Sequence, residues 1–263
     1  MPTPRPHTRE ERTRLVDRLV DMHRRALGAN LLGLAAQGSY ARNEDREYSD
    51  LELVAFLDEL PGDAERVDGE QILDGMFVDI VWTTKDAYIA SVKEVTPIWH
   101  IAGSDLLAPL VNPALIQEIN EYQPDDLRAR CLEQAAKRWH ALHEATTKVL
   151  NALARVDAPD LGRLFFSLLD HVLVVLAFLN AKPYISTSTL LEEALRLPKR
   201  PASLPELAAV ATEGAHNDRA RVETAITKAF AELEQLLVDD GATLEVTELT
   251  LPRRIGRPGT ADG

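Results

Sequence analysis

Two carboxylates spaced two apart, Asp50 and Glu52, open the apolar run Leu51 to Leu57 in the stretch LAAQGSYARNEDREYSDLELVAFLD, residues Leu34 to Asp58. On a strand this spacing points both groups to one face, where they repel unless something cationic sits between them. An oxygen-rich pair suits Mg²⁺, which keeps several waters and is completed by substrate phosphates. Upstream, the apolar run Leu31 to Ala36 breaks at Gly38-Ser39. A glycine-serine turn opening a helix offers backbone N–H groups and a hydroxyl to a phosphate. A third carboxylate, Asp79, lies in Met76 to Trp82, which is otherwise apolar. A charge in a packed strand needs a partner. Mg²⁺ shared with Asp50 and Glu52 is one candidate; a salt bridge or a solvent-facing strand end is the other. Together these residues describe a site for Mg²⁺-nucleotide chemistry.

The elements that must position them follow from the pattern. From Thr8 to Leu27 the apolar residues recur at helical spacing, and Thr8 with Glu11 carries the capping-box signature. Leu31 to Ala36 reads as a first strand, Gly38 to about Asn43 as a turn and helix start, and Leu51 to Leu57 as a second strand. Leu60 to Asp63 reads as a loop, Gln71 to Thr83 as a third strand region, Thr84 to Val95 as a helix and Thr96 to His100 as a loop. Near Pro124 the character changes. From Asp126 to Asp239 nearly everything has helical period: Asp126 to Val156, Leu161 to Ala181, Ser188 to Leu197, Ser203 to Thr212 and Asn217 to Val238. Ala242 to Thr250 alternates like an edge strand. The expected fold is α+β: a sheet-bearing domain over residues 1–124, a helical bundle over 125–250 and a disordered tail over 251–263.

Bulk properties narrow the chemistry. A chain of 263 residues builds one large or two modest domains. The 42 Asp+Glu against 29 Lys+Arg leave a formal net charge of −13. Such a surface repels nucleic acid and attracts cationic ligands, although acidity also simply keeps a protein dissolved. Cys131 is the one cysteine, so there is no internal disulfide and no cysteine metal cluster. The N-terminus lacks the apolar core of a signal peptide. The apolar run Leu164 to Leu179 is interrupted by Ser167, Asp170 and His171 and falls short of the ~20 residues of a membrane span. It is expected inside a bundle or at a dimer interface. The expectation is a soluble, cytoplasmic protein with no membrane or nucleic-acid partner.

Gly-Ser followed by Ser-Asp-x-Glu resembles the signature of the polymerase-β-type nucleotidyltransferases. Three further places resemble the aminoglycoside 4′-O-nucleotidyltransferases, the kanamycin nucleotidyltransferase family: Glu47 to Leu53 (EYSDLEL), Glu144 to Lys148 (EATTK) and Tyr184 to Ala194 (YISTSTLLEEA). The resemblance spans Leu31 to Leu197 and is faint between these islands. It implies a nucleotidyltransferase domain with a small mixed sheet and a C-terminal helical bundle.

The resemblance also implies roles. Asp50, Glu52 and Asp79 would bind Mg²⁺, with Asp79 standing where the family has a longer glutamate. Gly38, Ser39, Arg42 and Ser49 would hold the nucleotide triphosphate, Lys148 would lie near its phosphates, and Ser186 or Thr187 would contact the nucleotide. Glu70, Asp79 and Glu144 would face the aminoglycoside, with Glu144 as general base supplied by the partner subunit of a homodimer. The implied reaction moves AMP from MgATP to an aminoglycoside hydroxyl, releases pyrophosphate and confers antibiotic resistance. By spacing alone Glu144 and Lys148 are four apart on one helix face, which also describes an ordinary surface ion pair. The alternatives are transfer to another small molecule or protein, or a catalytically silent nucleotide-binding relative.

Overall fold

Helix α1 (Arg9–Leu27) begins as its sequence predicts: the Thr8 side chain accepts from the Glu11 N–H while the Glu11 carboxylate accepts from the Thr8 N–H. The computed structural model describes residues 3–62, 64–155, 158–214 and 218–244. Strand β1 (Leu31–Gln37) leads into the short helix α2 (Gly38–Ala41), and β2 (Leu51–Leu57) returns antiparallel to β1. Then come β3 (Arg66–Leu73), β4 (Met76–Thr83), a short α3 (Lys85–Tyr88) continued by a π-helical stretch to Lys93, α4 (Trp99–Ala102), β5 (Ala108–Val111) and α5 (Pro113–Glu121). Among the described residues the strands form one mixed sheet in the order β3-β4-β2-β1-β5, with β2 and β4 parallel and the other pairs antiparallel.

Alternation along the strands divides the core between two sheet faces. Leu34, Leu51, Leu53, Val78 and Ile80 pack against Leu15, Val16 and Leu19 of α1. Ala35, Val54 and Phe56 pack on the other face with Tyr88, Val92, Leu107, Ile116 and Ile119. Glu52 shares the phase of Val54 and Phe56.

The second half of the chain is helical: α6 (Leu127–Leu153), α7 (Leu161–Leu179), α8 (Leu190–Ala194), α9 (Leu204–Thr212) and α10 (Arg219–Asp239). Helix α7 extends beyond the apolar run read from the sequence and is, by length and composition alone, long and apolar enough to cross a membrane. Here Phe165, Leu168, Leu176 and Phe178 are instead buried among Trp139, Val149, Leu207 and Leu233 in the bundle core. Val95 and Trp99 also enter this core, with Trp99 stacked on Phe178 at 6.0 Å. Tyr184 fastens the two halves, donating its N–H to His100 O at 2.8 Å and accepting from Ser104 Oγ at its carbonyl.

Several expectations are corrected. The third strand region is a hairpin of β3 and β4 joined at Asp74-Gly75, both with positive φ (53° and 82°). Asp-Gly is the dipeptide that suits such a tight turn. Thr84 to Val95 is helical only in part, and α4 starts inside the expected loop Thr96 to His100. Neither β5 nor α5 was expected, since four strand residues give too short an alternation to read. Regular helix within Ser188 to Leu197 is confined to α8. Ala242 to Leu244 are not strand, and the rest of the expected edge strand and the tail lie outside the described residues.

A contact not legible in the sequence fixes the loop before β2. Arg12, 1% exposed, sends its guanidinium from α1 to Ser49 O at 2.9 Å, Arg46 O at 2.6 Å, Glu47 O at 3.1 Å, His7 O at 3.1 Å and the Asp45 carboxylate at 3.2 Å. The planar fork of arginine serves such divergent carbonyls, which a lysine ammonium cannot. Removing the cation takes this donor from the His7 and Ser49 carbonyls and leaves the Asp45 carboxylate with less compensation, while the Arg46 and Glu47 carbonyls keep one backbone donor each. Arg12→Met is therefore expected to cost about 3 kcal/mol in urea unfolding, with Arg12→Lys recovering little of it. A loss below about 1 kcal/mol would show that the loop does not depend on this staple.

Candidate active site

Glu52 on β2 is in register with Asp79 on the parallel strand β4, and Glu70 on β3 stands opposite Asp79 on its other side. Neighbouring strands lie about 4.8 Å apart, so the three carboxylates form a row across one sheet face. Asp50 sits two residues before Glu52, exposed, at the end of the stapled loop. Burial, helped by Asp50, Asp105 and Asp79 and opposed by Arg42, pushes the Glu52 carboxyl up to about 7. Burial also raises Asp79, with Asp68, Glu70 and Asp50 adding and Arg66 opposing. One Asp79 oxygen, Oδ1, is buried without a hydrogen-bond partner.

An orphaned carboxylate oxygen beside a second carboxyl that resists ionisation is an arrangement a divalent cation would relieve. Among the described residues, however, no three His, Cys, Asp or Glu are drawn together closely enough to hold a metal ion. Glu52, Asp79 and the more exposed Asp50 thus do not form a ready-made metal cage in this structure.

Gly38 is required where it stands. It follows Gln37, the register partner of Glu52, and has φ +67°. A Cβ there would fall 1.8 Å from Glu52 Oε2. The missing side chain therefore lets the turn close down on the carboxylate row.

Beside this turn a cleft of about 810 Å³ opens between the two halves of the chain. Ser39, Arg42, Arg46, Tyr48 and Ser49 line it from the sheet side; Ile185, Ser186, Ser188, Thr189, Glu192 and Arg196 line it from the helical side. The structure thus brings the sequence-predicted Ser39, Arg42, Ser49 and Ser186 to one cavity. Ser186 lines it, whereas Thr187 is exposed and is not among the lining residues. Arg42 is held by Glu44 at 2.8 Å.

Glu144 and Lys148 are not part of this cleft. They pair with each other at 2.7 Å on the outer face of α6, with side chains 68% and 57% exposed. Lys148 holds the Glu144 carboxyl below its usual range, with His171 contributing less. The general base implied by resemblance is therefore not gathered with the carboxylate row of its own chain.

Sequence reading missed Asp105, in the loop before β5. Burial raises it to about 6, against the pull of Lys93 and Arg42. Lys93, itself buried, donates to the Asp105 backbone carbonyl at 2.5 Å. A lone acid in a Gly-Ser-Asp loop carries no periodic signal, so only the fold shows that it lies near Glu52.

Asp105 has a consequence for stability. Its ordinary value is 3.8 and its folded value about 6, so between these the folded state holds a proton that the unfolded chain has lost. Its contribution is complete below the lower value and disappears as pH rises through the higher one. Asp105→Asn is thus expected to gain on wild type by up to about 3 kcal/mol between about pH 4 and about pH 7. Urea unfolding at the two pH values checks this, and an unchanged difference would place the carboxyl in water.

The helical half matches a family model, the KNTase C-terminal domain, over residues 139–243, less than half of the chain. No curated protein matches the sequence. Among solved structures, a nucleotidyltransferase-like protein from Exiguobacterium sibiricum aligns at 13% identity, with a TM-score of 0.48, over 84% of this chain and 75% of that one. The matched residues 139–243 contain Glu144, Lys148 and the whole helical wall of the cleft. This match of the helical half supports a nucleotidyltransferase.

Proposed function

We propose that this protein is an aminoglycoside 4′-O-nucleotidyltransferase of the cytoplasm, moving AMP from MgATP to the drug and so conferring resistance. One observation carries the reading: the Gly38-Ser39 turn, closed down on Glu52, borders a cleft whose opposite wall belongs to the matched helical region. In this reading Ser39, Ser49 and Ser186 hydrogen-bond the triphosphate, and Arg42 offsets its charge. Positioning of this kind accounts for most of the catalysis in phosphoryl and nucleotidyl transfer. Mg²⁺, when bound, neutralises phosphate charge and polarises the reacting phosphorus; Asp50, Glu52 and Asp79 are the residues that would hold it.

The drug hydroxyl attacks the α-phosphorus, the bond to the bridging oxygen breaks, pyrophosphate leaves and Glu144 takes the hydroxyl proton. Because Glu144 lies outside the cleft of its own chain, we infer that a second copy supplies it, in a homodimer with shared sites. Glu70, with Glu65 and Asp68, gives a polyamine sugar an acidic wall, consistent with the net charge of −13. Asp79 is shorter than the glutamate it replaces, which favours as second reading a relative that binds nucleotide and transfers to another acceptor or none.

Pyrophosphate release from MgATP tests both parts. Wild type is expected to release it only with kanamycin or tobramycin and not with a 4′-deoxy analogue, while Glu144→Gln and Asp50→Asn are each inactive. Unfolding and re-mixing the two inactive variants in equal amounts should restore about a quarter of wild-type activity, since half the dimers then carry one intact site. No recovery would place base and carboxylates in one chain. No drug-dependent release by wild type would favour the second reading.

A further inference from the structure

The loop Asp45–Ser49 is rigid on its inner side and unspent on its outer side. Arg12 holds the carbonyls of Arg46, Glu47 and Ser49 from beneath, and the Arg46 N–H is capped by Ser49 Oγ at 2.9 Å. The side chains of Arg46 and Tyr48 are therefore presented to the cleft on a fixed backbone. Among the described residues, Arg42 is committed to Glu44 and Arg196 to Glu192, whereas the Arg46 guanidinium has no ion-pair partner.

The apolar groups of the cleft are equally uncommitted. Tyr48 is 64% exposed and Ile185 49% exposed, one from each half of the chain, and both line the same otherwise polar cavity. Although Glu44, Glu47, Glu192 and Glu193 also line this cavity, its hydroxyls and the Arg46 guanidinium can meet a phosphate. They leave unexplained why a phenol ring and a branched aliphatic chain are both held open to water there. A ligand that joins a polyanion to a flat, apolar-faced ring uses both sets at once. Base stacking on an aromatic side chain is strong and tolerant of base identity, because every base has a π-face.

We propose that Tyr48 and Ile185 form the nucleobase subsite of this cleft, with Arg46 the cation next to it on the phosphate side. The proposal rests on the nucleotide reading above and adds where the base is held. Recognition by ring faces rather than ring edges makes the site discriminate by stacking area, so purine nucleotides bind more tightly than pyrimidine nucleotides and ATP is not strongly separated from GTP.

Equilibrium binding of two probes, MgATP and magnesium tripolyphosphate, distinguishes the possibilities. Tyr48→Ala is expected to weaken MgATP about tenfold while leaving tripolyphosphate unchanged. Tyr48→Phe should bind both like wild type, since the ring is kept. Ile185→Ala should act like Tyr48→Ala to a smaller degree, and Arg46→Gln should weaken both probes. These side chains are exposed, so melting temperatures should match wild type; the Tyr48→Phe comparison keeps the test valid if Tyr48→Ala melts early. Unaltered MgATP binding in Tyr48→Ala, or equal weakening of both probes, would overturn the base subsite while leaving the nucleotide reading intact. Wild type that binds neither probe would remove the nucleotide reading and the subsite together.

Discussion

Two carboxylates held side by side on parallel strands, partly out of water, are the constraint on which the rest of the sheet half depends. Glu52 and Asp79 are fixed in register, and neither can swing away without leaving the face that also buries Val54 and Phe56. Both are raised above their ordinary values by burial first and by neighbouring acids second. A fold optimised only for stability would replace such a pair with apolar side chains. Holding it there, with an orphaned Asp79 oxygen, costs the fold stability. The surroundings conform to it: Gly38 has no Cβ because Glu52 occupies that space, and Arg12 fixes the loop that delivers Asp50.

The helical half completes the site by closing a wall. Trp99 and Val95 are drawn from the sheet half into the bundle core, and Tyr184 is tied to His100 and Ser104. With that joint fixed, the chain emerging from Tyr184 runs past the stapled loop, and Ile185 to Arg196 face Ser39 to Ser49. The same rigidity explains why Glu144 stays outside. It projects from the outer face of α6, whose inner face is committed to the core through Leu142, Ala145 and Val149.

The legible parts of the sequence were those with a period or a fixed spacing. The capping box at Thr8 and Glu11, the strands around Gly38 and Asp50, and the long helices were all read from pattern, since tertiary packing reinforced what each segment already preferred. The Asp74-Gly75 hairpin was misread as one strand because apolar residues continue across the turn. In the site, Ser39, Arg42, Ser49 and Ser186 were found through motif resemblance and do converge. Arg12 and Asp105 were not found: their importance lies in burial and in contacts across many residues of sequence, and no local pattern encodes either. Arg46 precedes the resembling segment and Tyr48 lies inside it without an implied role, and only their shared cleft with Ile185 distinguishes them from surface side chains.

The central claim is that the Glu52–Asp79 row receives a divalent cation together with a nucleotide. Titration of Mn²⁺ in the presence of a non-hydrolysable ATP analogue, followed by the EPR spectrum of the protein-bound ion, tests it most directly. The account predicts a bound-ion spectrum in wild type, and a loss of at least about tenfold in affinity in Asp79→Asn with a melting temperature at or above that of wild type. An identical spectrum and affinity in that variant would contradict it, and would return the carboxylate row to a purely structural explanation.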